Sequence, residues 1–422
     1  MKENKKTPKG YKRSSLGLIP EDWNLSSFGD FADFKNGLNF SEKDRGKGIK
    51  IIGVGDFLNH STITYDQLDK VQVQASISKE YLLKENDLLF VRSNGKKELV
   101  GRNILIKNLR EDISHSGFTI RARVDRQKGL PEFYSLVFKS SLVRRQYLTL
   151  GGGTNISNLS QDILASITVP CPTLKEQAAI ANLLSTWDRS INTLTRLIAQ
   201  KEQRKKWLMQ KLLTWKKRLK GFEKEKWRTQ PLNSFIKPIS RKVNKPNKPY
   251  LGIGIRSHGK GTFLKPNEQP EKNSMDEFFI VRRDDLIVNI TFAWEQAIAI
   301  VRREDDGALA SHRFPTYTFL KNKAYPNFFR FFILQPRMKY MLQLISPGGA
   351  GRNRVMDKSD FIKLEFLLPD FEEQIAIAQV LESADKEIQL LKVKTDKLKD
   401  QKKGLMQQLL TGKKRLKIKK DE

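Results

Sequence analysis

Two stretches of the chain place apolar residues on an alternating four-and-three spacing. In the first, Ile180, Leu184, Trp187, Ile191, Leu194 and Ile198 hold the frame, which resumes at Leu208 and Leu212. In the second it is held by Ile377, Leu381, Ala384, Ile388, Leu391, Leu398, Leu405 and Leu409. That period predicts long helices with a seam for a partner helix, and all of these residues except Ile198 and Ala384 are assigned to helix pairing. Lys201 and Lys205 interrupt the first seam, Thr395 and Lys402 the second. Polar groups at such positions cost stability and favour one register. Elsewhere, short apolar runs predict strands separated by glycine turns: Ile49 to Val54, Leu88 to Arg92, Phe118 to Val124, Leu286 to Ile290 and Ala297 to Val301.

The two helical stretches are copies. Glu176-Gln177-Ala178-Ala179-Ile180-Ala181 returns as Glu373-Gln374-Ile375-Ala376-Ile377-Ala378, and Asp188 and Ile191 return as Asp385 and Ile388, always 197 positions later and without a gap. A period this long describes a duplicated domain with its helix, since solenoid repeats run to about 20–50 residues. The regions upstream share only a skeleton. Each has a tryptophan near its start (Trp23, Trp227), an Asp-Leu-hydrophobic strand (Asp87-Leu88-Leu89, Asp285-Leu286-Ile287) and a Ser-His pair (Ser114-His115, Ser311-His312). A glycine cluster (Gly151 to Gly153; Gly348, Gly349 and Gly351) and a closing proline (Pro170, Pro369) follow.

The expected fold class is therefore α+β, with an internal pseudo-two-fold repeat. Two mixed domains, 1–172 and 221–369, alternate with long helical segments, 173–220 and 370–416, and a basic tail, 417–422, follows. Equivalent units pairing about a pseudo-two-fold require the helices to lie antiparallel, as a coiled coil. At about 1.5 Å per residue, about 40 residues make a rod of about 60 Å.

Charge narrows the class of partner. The 422 residues carry 78 Lys+Arg against 47 Asp+Glu, a formal charge of +31, which points to a polyanion. Apolar content of 38% suffices for two or three packed domains, yet no run is long enough to span a bilayer. One cysteine, Cys171, and scattered His60, His115, His258 and His312 exclude a disulfide framework and offer no metal-ligand spacing. Residues 1–12 form a basic arm without the apolar core of a signal peptide, so the expected compartment is the cytoplasm. Cations crowd the ends of both helices: Lys201, Arg204, Lys205, Lys206, Lys211, Lys216, Lys217, Arg218 and Lys220 in the first, and Lys402, Lys403, Lys413, Lys414, Arg415 and Lys417 in the second.

Four loops combine cations, amides and glycines, the groups that grip base edges and phosphates. They supply the candidate DNA-binding residues Arg92, Ser93, Asn94, Lys96 and Lys97; Thr154 and Asn155; Arg256, His258 and Lys260; and Arg352, Asn353 and Arg354. Catalytic, cofactor and metal sites are not expected in this chain. Asn247-Lys248-Pro249-Tyr250 has lysine in the second place of an amino-methyltransferase pocket, and the pairs Gly53-x-Gly55 and Gly252-x-Gly254 lack the further glycine of a dinucleotide site. Pro369-Asp370 opens a helix instead of a nuclease core, a P-loop is absent, and the Ser-His neighbours form no nucleophile-base pair. Their expected role is structural, or a phosphate contact.

Two variable domains alternate with two near-identical helices. Each helix opens in a proline-led Glu-Gln-x-x-Ile-Ala signature (Pro172 to Ala181, Pro369 to Ala378) and closes in Leu-Met-Gln-x-Leu-Leu-Thr-x-Lys-Lys-Arg-Leu (Leu208 to Leu219, Leu405 to Leu416). With the opening Gly17-Leu18-Ile19-Pro20-Glu21-Asp22-Trp23, this resembles the specificity (S) subunit of Type I restriction-modification systems over essentially the whole chain. The resemblance implies that each domain reads one half of a split, asymmetric site in double-stranded DNA and that the helices set the spacer. It implies two modification (M) subunits that use S-adenosylmethionine to methylate adenine N6, and restriction (R) subunits that use ATP and Mg2+. Gln177, Ile180, Gln374 and Ile377 fall at the domain-helix junctions, a region the resemblance opens to the M subunits without assigning the contact to particular residues. Alternatives are a specificity subunit served by a fused endonuclease-methyltransferase, and a non-catalytic coiled-coil scaffold.

Overall fold

The computed structural model describes residues 7–57, 65, 68–72, 78–95, 97–150, 158–348 and 354–417. The chain divides into two compact units, one holding residues up to Leu194 and from Lys394 onward, the other Thr195–Val393.

In the first unit an antiparallel sheet orders its strands Ala32–Asn36, Thr119–Val124, Leu88–Val91 and Asn103–Leu105. The strand Leu88–Val91 is buried on both faces, which is why it reads as an unbroken apolar run. Because alternate side chains point to opposite faces, Leu88 and Phe90 enter one core and Leu89 and Val91 another. The larger core centres on Phe28, whose ring centroid lies 4.6 Å from that of Phe138, and includes Trp23, Tyr134 and the helix residues Ile180 and Leu184. The smaller core lies beneath a second sheet of Asp69–Val71, Arg45–Ile52 and Ile113–His115.

The second unit repeats this plan with different residues. Its four-stranded sheet orders Ile236–Ile239, Thr316–Phe319, Leu286–Val288 and Ile298–Ile300, the same sequence of first, last, second and third strand. Leu286 and Val288 enter the larger core and Ile287 the smaller. A strand pair joins each domain's start to its end: Asn24–Ser27 with Thr168–Cys171, and Arg228–Pro231 with Glu365–Leu368. The duplication visible in the helices thus extends to the domains, where packing has been kept and sequence has not.

The long helices span Leu174–Leu212 and Phe371–Leu409, ending short of the 220 and 416 expected. The reason lies three residues past each end, where Trp215 (φ 63°) and Gly412 (φ 67°) take the left-handed conformation that terminates a helix. The same conformation is demanded at both repeat-related positions, although only one is glycine. All fourteen residues assigned to helix pairing are buried or half-buried. Within each unit the two helical segments run in opposite directions. In the first unit Asp188 accepts from Lys402 Nζ at 2.6 Å. In the second, Lys205 pairs with Asp385 at 2.5 Å, Lys201 with Glu387 at 2.6 Å and Lys392 with Glu202 at 2.6 Å. The lysines that break each apolar seam are therefore answered by acids on the facing segment. Lys201, Lys205 and Lys402, counted above among polyanion-facing cations, serve the helix pairing instead. Each such partly exposed pair contributes about 0–1 kcal/mol and acts mainly on register.

Candidate functional site

The glutamate of each helix signature is a buried charge where its domain meets the helix. Pro172 and Thr173 start the first long helix, and Thr173 Oγ1 accepts the Glu176 N–H at 3.3 Å. This is half of a capping box. The Glu176 carboxylate, 2% exposed, turns elsewhere. It accepts from Trp23 Nε1 at 3.0 Å and from Arg415 Nε and Nη2 at 2.5 and 2.8 Å. Arg415 also forks onto Asp22 at 2.8 and 2.9 Å, and its hydrogen bonds hold the Asp22 carboxyl below the usual range. In the second unit Glu373, 1% exposed, accepts from Trp227 Nε1 at 2.9 Å and from Arg218 Nε and Nη2, both at 2.7 Å. Arg218 and Arg415, read from sequence as polyanion contacts, are thus committed to buried carboxylates. The three parts of each hub were visible in the sequence, but they lie too far apart along the chain for spacing to join them.

The neighbouring glutamines are turned inward as well. Gln177 accepts the Leu130 N–H at 2.8 Å and donates to the Pro172 carbonyl at 2.9 Å. Gln374 accepts the Tyr325 N–H at 2.9 Å and donates to the Lys323 and Pro369 carbonyls at 3.2 and 3.0 Å. Each caps a helix that starts on proline, Pro131–Val137 and Pro326–Phe332, where the first N–H groups need an acceptor. Gln177 and Gln374, with Ile180 and Ile377, are no more than 2% exposed, so none of the four offers a surface to an M subunit.

The candidate reading residues gather in two places, one in each unit. In the first, Arg92, Ser93 and Asn94 follow the strand Leu88–Val91. The Arg92 N–H donates to the Phe118 carbonyl at 2.8 Å and its guanidinium reaches the Gly117 carbonyl at 3.4 Å. Ser93 and Asn94 line a cavity of about 790 Å³. Lys97 opens a 3-10 turn, Lys97–Leu99. Lys96, Thr154, Asn155, Arg352 and Asn353 lie outside the described residues.

In the second unit, strands Tyr250–Ile255 and Thr262–Glu268 form a hairpin whose tip exposes Arg256, His258 and Lys260. His258 and Gly259 both have positive φ, 61° and 64°, which turns the chain tightly. The Arg256 guanidinium donates to the Thr262 carbonyl at 3.1 Å and lies 4.9 Å from the Phe263 ring centroid, so it is presented in a fixed direction. The His258 N–H donates to the Glu295 carbonyl at 2.7 Å. Arg354 stacks over the adjacent Trp294, 5.4 Å from its centroid. The structure thus brings Arg354 and the hairpin tip, a hundred residues apart in sequence, to the same turn.

The two Ser-His pairs part company. His115 is fully buried; Thr119 Oγ1 donates to the Ser116 carbonyl at 2.7 Å and lies 3.0 Å from His115 Nδ1, so Nδ1 carries the proton. Burial, with Arg121 and Arg123 nearby, pushes the imidazole down to about 3. It is neutral, inaccessible to phosphate and structural. His312 is exposed at a cavity of about 410 Å³ that Lys358 also lines. Among the described residues no cluster of His, Cys, Asp or Glu could hold a metal, and no helix is long and apolar enough to cross a membrane.

Comparison with known proteins places this architecture. The family model for the Type I restriction modification DNA specificity domain matches twice, over residues 20–203 and 228–400. Two type I restriction enzyme specificity subunits of Methanocaldococcus jannaschii are similar. MjaX is 26% identical, covering 96% of this chain and 97% of the relative, and MjaVIII is 24% identical, covering 94% of each. Among solved structures, the S subunit of a type I system from M. genitalium aligns with TM-score 0.52 and 15% identity over 92% of this chain and 96% of that one. A chain from a study of type I complex assembly aligns with TM-score 0.57 and 13% identity over 93% and 99%. At these identities the structural likeness speaks for the fold.

Proposed function

Because the chain belongs to the Type I restriction-modification DNA specificity family, we propose that its two domains read the two halves of one asymmetric, bipartite DNA site and direct partner subunits to it. Specificity subunits are the recognition component of their systems, and nothing catalytic is asked of this chain. Two M subunits bind and supply S-adenosylmethionine and adenine-N6 methylation; R subunits supply ATP- and Mg2+-dependent restriction, and the assembly works in the cytoplasm. The observation that carries the reading is the repeated domain plan filled with unlike residues: both domains keep the same four-strand order, but Ser93 and Asn94 follow one of its strands in the first copy, whereas in the second the exposed Arg256 to Lys260 turn belongs to a hairpin of the neighbouring five-stranded sheet. One scaffold with two chemistries suits two unlike half-sites.

Reconstitution tests this. The chain with its cognate modification subunit methylates adenine at one bipartite sequence, mapped across genomic DNA, and neither component does so alone. Methylation by the isolated chain would contradict the assignment. Gene neighbours encoding a fused endonuclease-methyltransferase in place of separate M and R subunits would favour that related system, and binding without sequence preference would favour a scaffold.

The long helices are proposed to pair as an antiparallel coiled coil that sets the spacer between half-sites. The acid-lysine pairs along the seams support a fixed register. Inserting one heptad into both helices changes the methylated spacer and leaves both half-sites unaltered. A changed half-site in that variant would show that ruler and readers are not separate.

A further inference from the structure

The cavity beside Ser93 and Asn94 carries chemistry that the rest of this basic chain does not lead one to expect. Its walls come from the end of the strand Arg45–Ile52, the 3-10 turn Val54–Phe57, the strand Asp69–Val71 and the turn before Thr119–Val124. At about 790 Å³ it falls within the roughly 300–1,000 Å³ typical of small-ligand sites. Two carboxylates, Asp56 and Asp69, line it. Asp56 is aimed by the Gly53 N–H, which donates to Oδ2 at 2.8 Å, and burial, together with Asp69, raises its carboxyl above the usual range. At the edge stands Phe118, 62% exposed and among the most exposed large apolar side chains described. Its backbone is clamped: the Arg92 N–H donates to its carbonyl, and Ser116 Oγ accepts its own N–H at 3.2 Å. Gly37 and Gly117 allow this turn to close, since a Cβ at Gly37 would lie 2.2 Å from the His115 carbonyl oxygen and one at Gly117 2.0 Å from Asn39 Oδ1.

These features select a ligand. Phosphate is repelled by the Asp56 carboxylate in the cavity wall. Guanine O6 and N7 and thymine O4 are acceptors and meet the same repulsion in the major groove, whereas adenine N6 and cytosine N4 are donors. We propose that this cavity reads an amino-bearing base, adenine or cytosine, in the half-site of the first domain, with Asp56 accepting from the exocyclic amine and Phe118 supplying the apolar contact that excludes water beside it. The assignment rests on the DNA-reading function proposed above. Asp56 is then a specificity-determining residue without a role in backbone affinity. The second domain carries Arg256 soon after its own paired glycines, Gly252 and Gly254, where the first carries Asp56 after Gly53 and Gly55. A donor in place of an acceptor suits a different base.

The test uses the complete complex with its modification subunits and duplexes of the mapped site in which each adenine or cytosine of the first half-site is replaced, one at a time, by an analogue lacking the exocyclic amine. Wild type loses roughly 10- to 100-fold in affinity at one position. Asp56→Asn keeps an acceptor for the Gly53 N–H, loses a similar factor on unmodified DNA, loses nothing further on that analogue, and keeps the wild-type salt dependence. Phe118→Ala, a change on an exposed ring, loses discrimination at the same position, so the assignment does not depend on one variant's folding. It is overturned if Asp56→Asn follows wild type at every position, if it binds all DNA more tightly, or if it weakens the grip on the modification subunits and leaves base preference intact. Indifference of the wild-type complex to every amine-lacking duplex overturns this assignment alone, whereas equal binding to duplexes of unrelated sequence would remove the DNA-reading function itself, and this assignment with it.

Discussion

Raising salt from 50 to 200 mM weakens binding of the complex to DNA by about 10³–10⁵-fold if six to ten phosphates are contacted, with a slope near −0.9 per phosphate. The expectation follows from a formal charge of +31 after the structure has shown which cations are spoken for. Lys201, Lys205, Lys402, Arg218 and Arg415 pair with acids and release few counterions. Arg256, His258 and Lys260 stand exposed on their hairpin. Lys260→Ala is expected to reduce the slope by about 1 if it touches phosphate, whereas Lys205→Ala leaves it unchanged. Titrations at four salt concentrations decide the matter, and a flat response in wild type would count against extensive backbone contact.

The second large effect is on stability. Glu176→Ala removes the acceptor shared by Trp23 and Arg415; the buried indole N–H is left without its acceptor, while Arg415, 38% exposed, keeps its fork onto Asp22. Leaving a buried donor unsatisfied costs about 1–3 kcal/mol, and in a unit of this size each kcal/mol shifts the melting midpoint by about 2–4 °C. Hydrogen exchange locates the damage: protection falls around Trp23 and in the segment from Leu405 to Leu416, while the equivalents around Trp227 and Glu373 keep theirs. Asp360→Ala, which removes an exposed partner of Lys363, costs under about 1 kcal/mol and serves as the control. Equal effects from the two variants would mean that the hub is ornamental.

What could be read from sequence was what is local or periodic. The heptad frame, the ungapped repeat and runs such as Leu88 to Arg92 announced helices and strands because each is a pattern within a few turns of chain. The seam lysines were legible as interruptions, but their answer in Asp188, Asp385 and Glu387 required knowing that the facing segments run in opposite directions. Gln177 and Gln374 could be placed at the junctions but given no role, because a helix position tells which face a side chain takes and not what covers it. Asp56 and Phe118 gave no signal. A lone acid and a lone aromatic come to line one cavity only because five separate segments meet around it.

The hubs exchange their arginines: Glu373 takes Arg218, which follows the first long helix, and Glu176 takes Arg415, which follows the second. Tyr11 Oη also donates to the Gly412 carbonyl at 3.0 Å, and Leu409 and Leu410 lie in the same core as Trp23. On the ribosome, therefore, the domain made first is the one finished last. The second domain's hub has all its parts once Glu373 has emerged, while the first waits for some forty more residues with Glu176 and part of its core uncovered. A nascent chain cut short before Arg415 leaves Glu176 and part of that core exposed for as long as it exists.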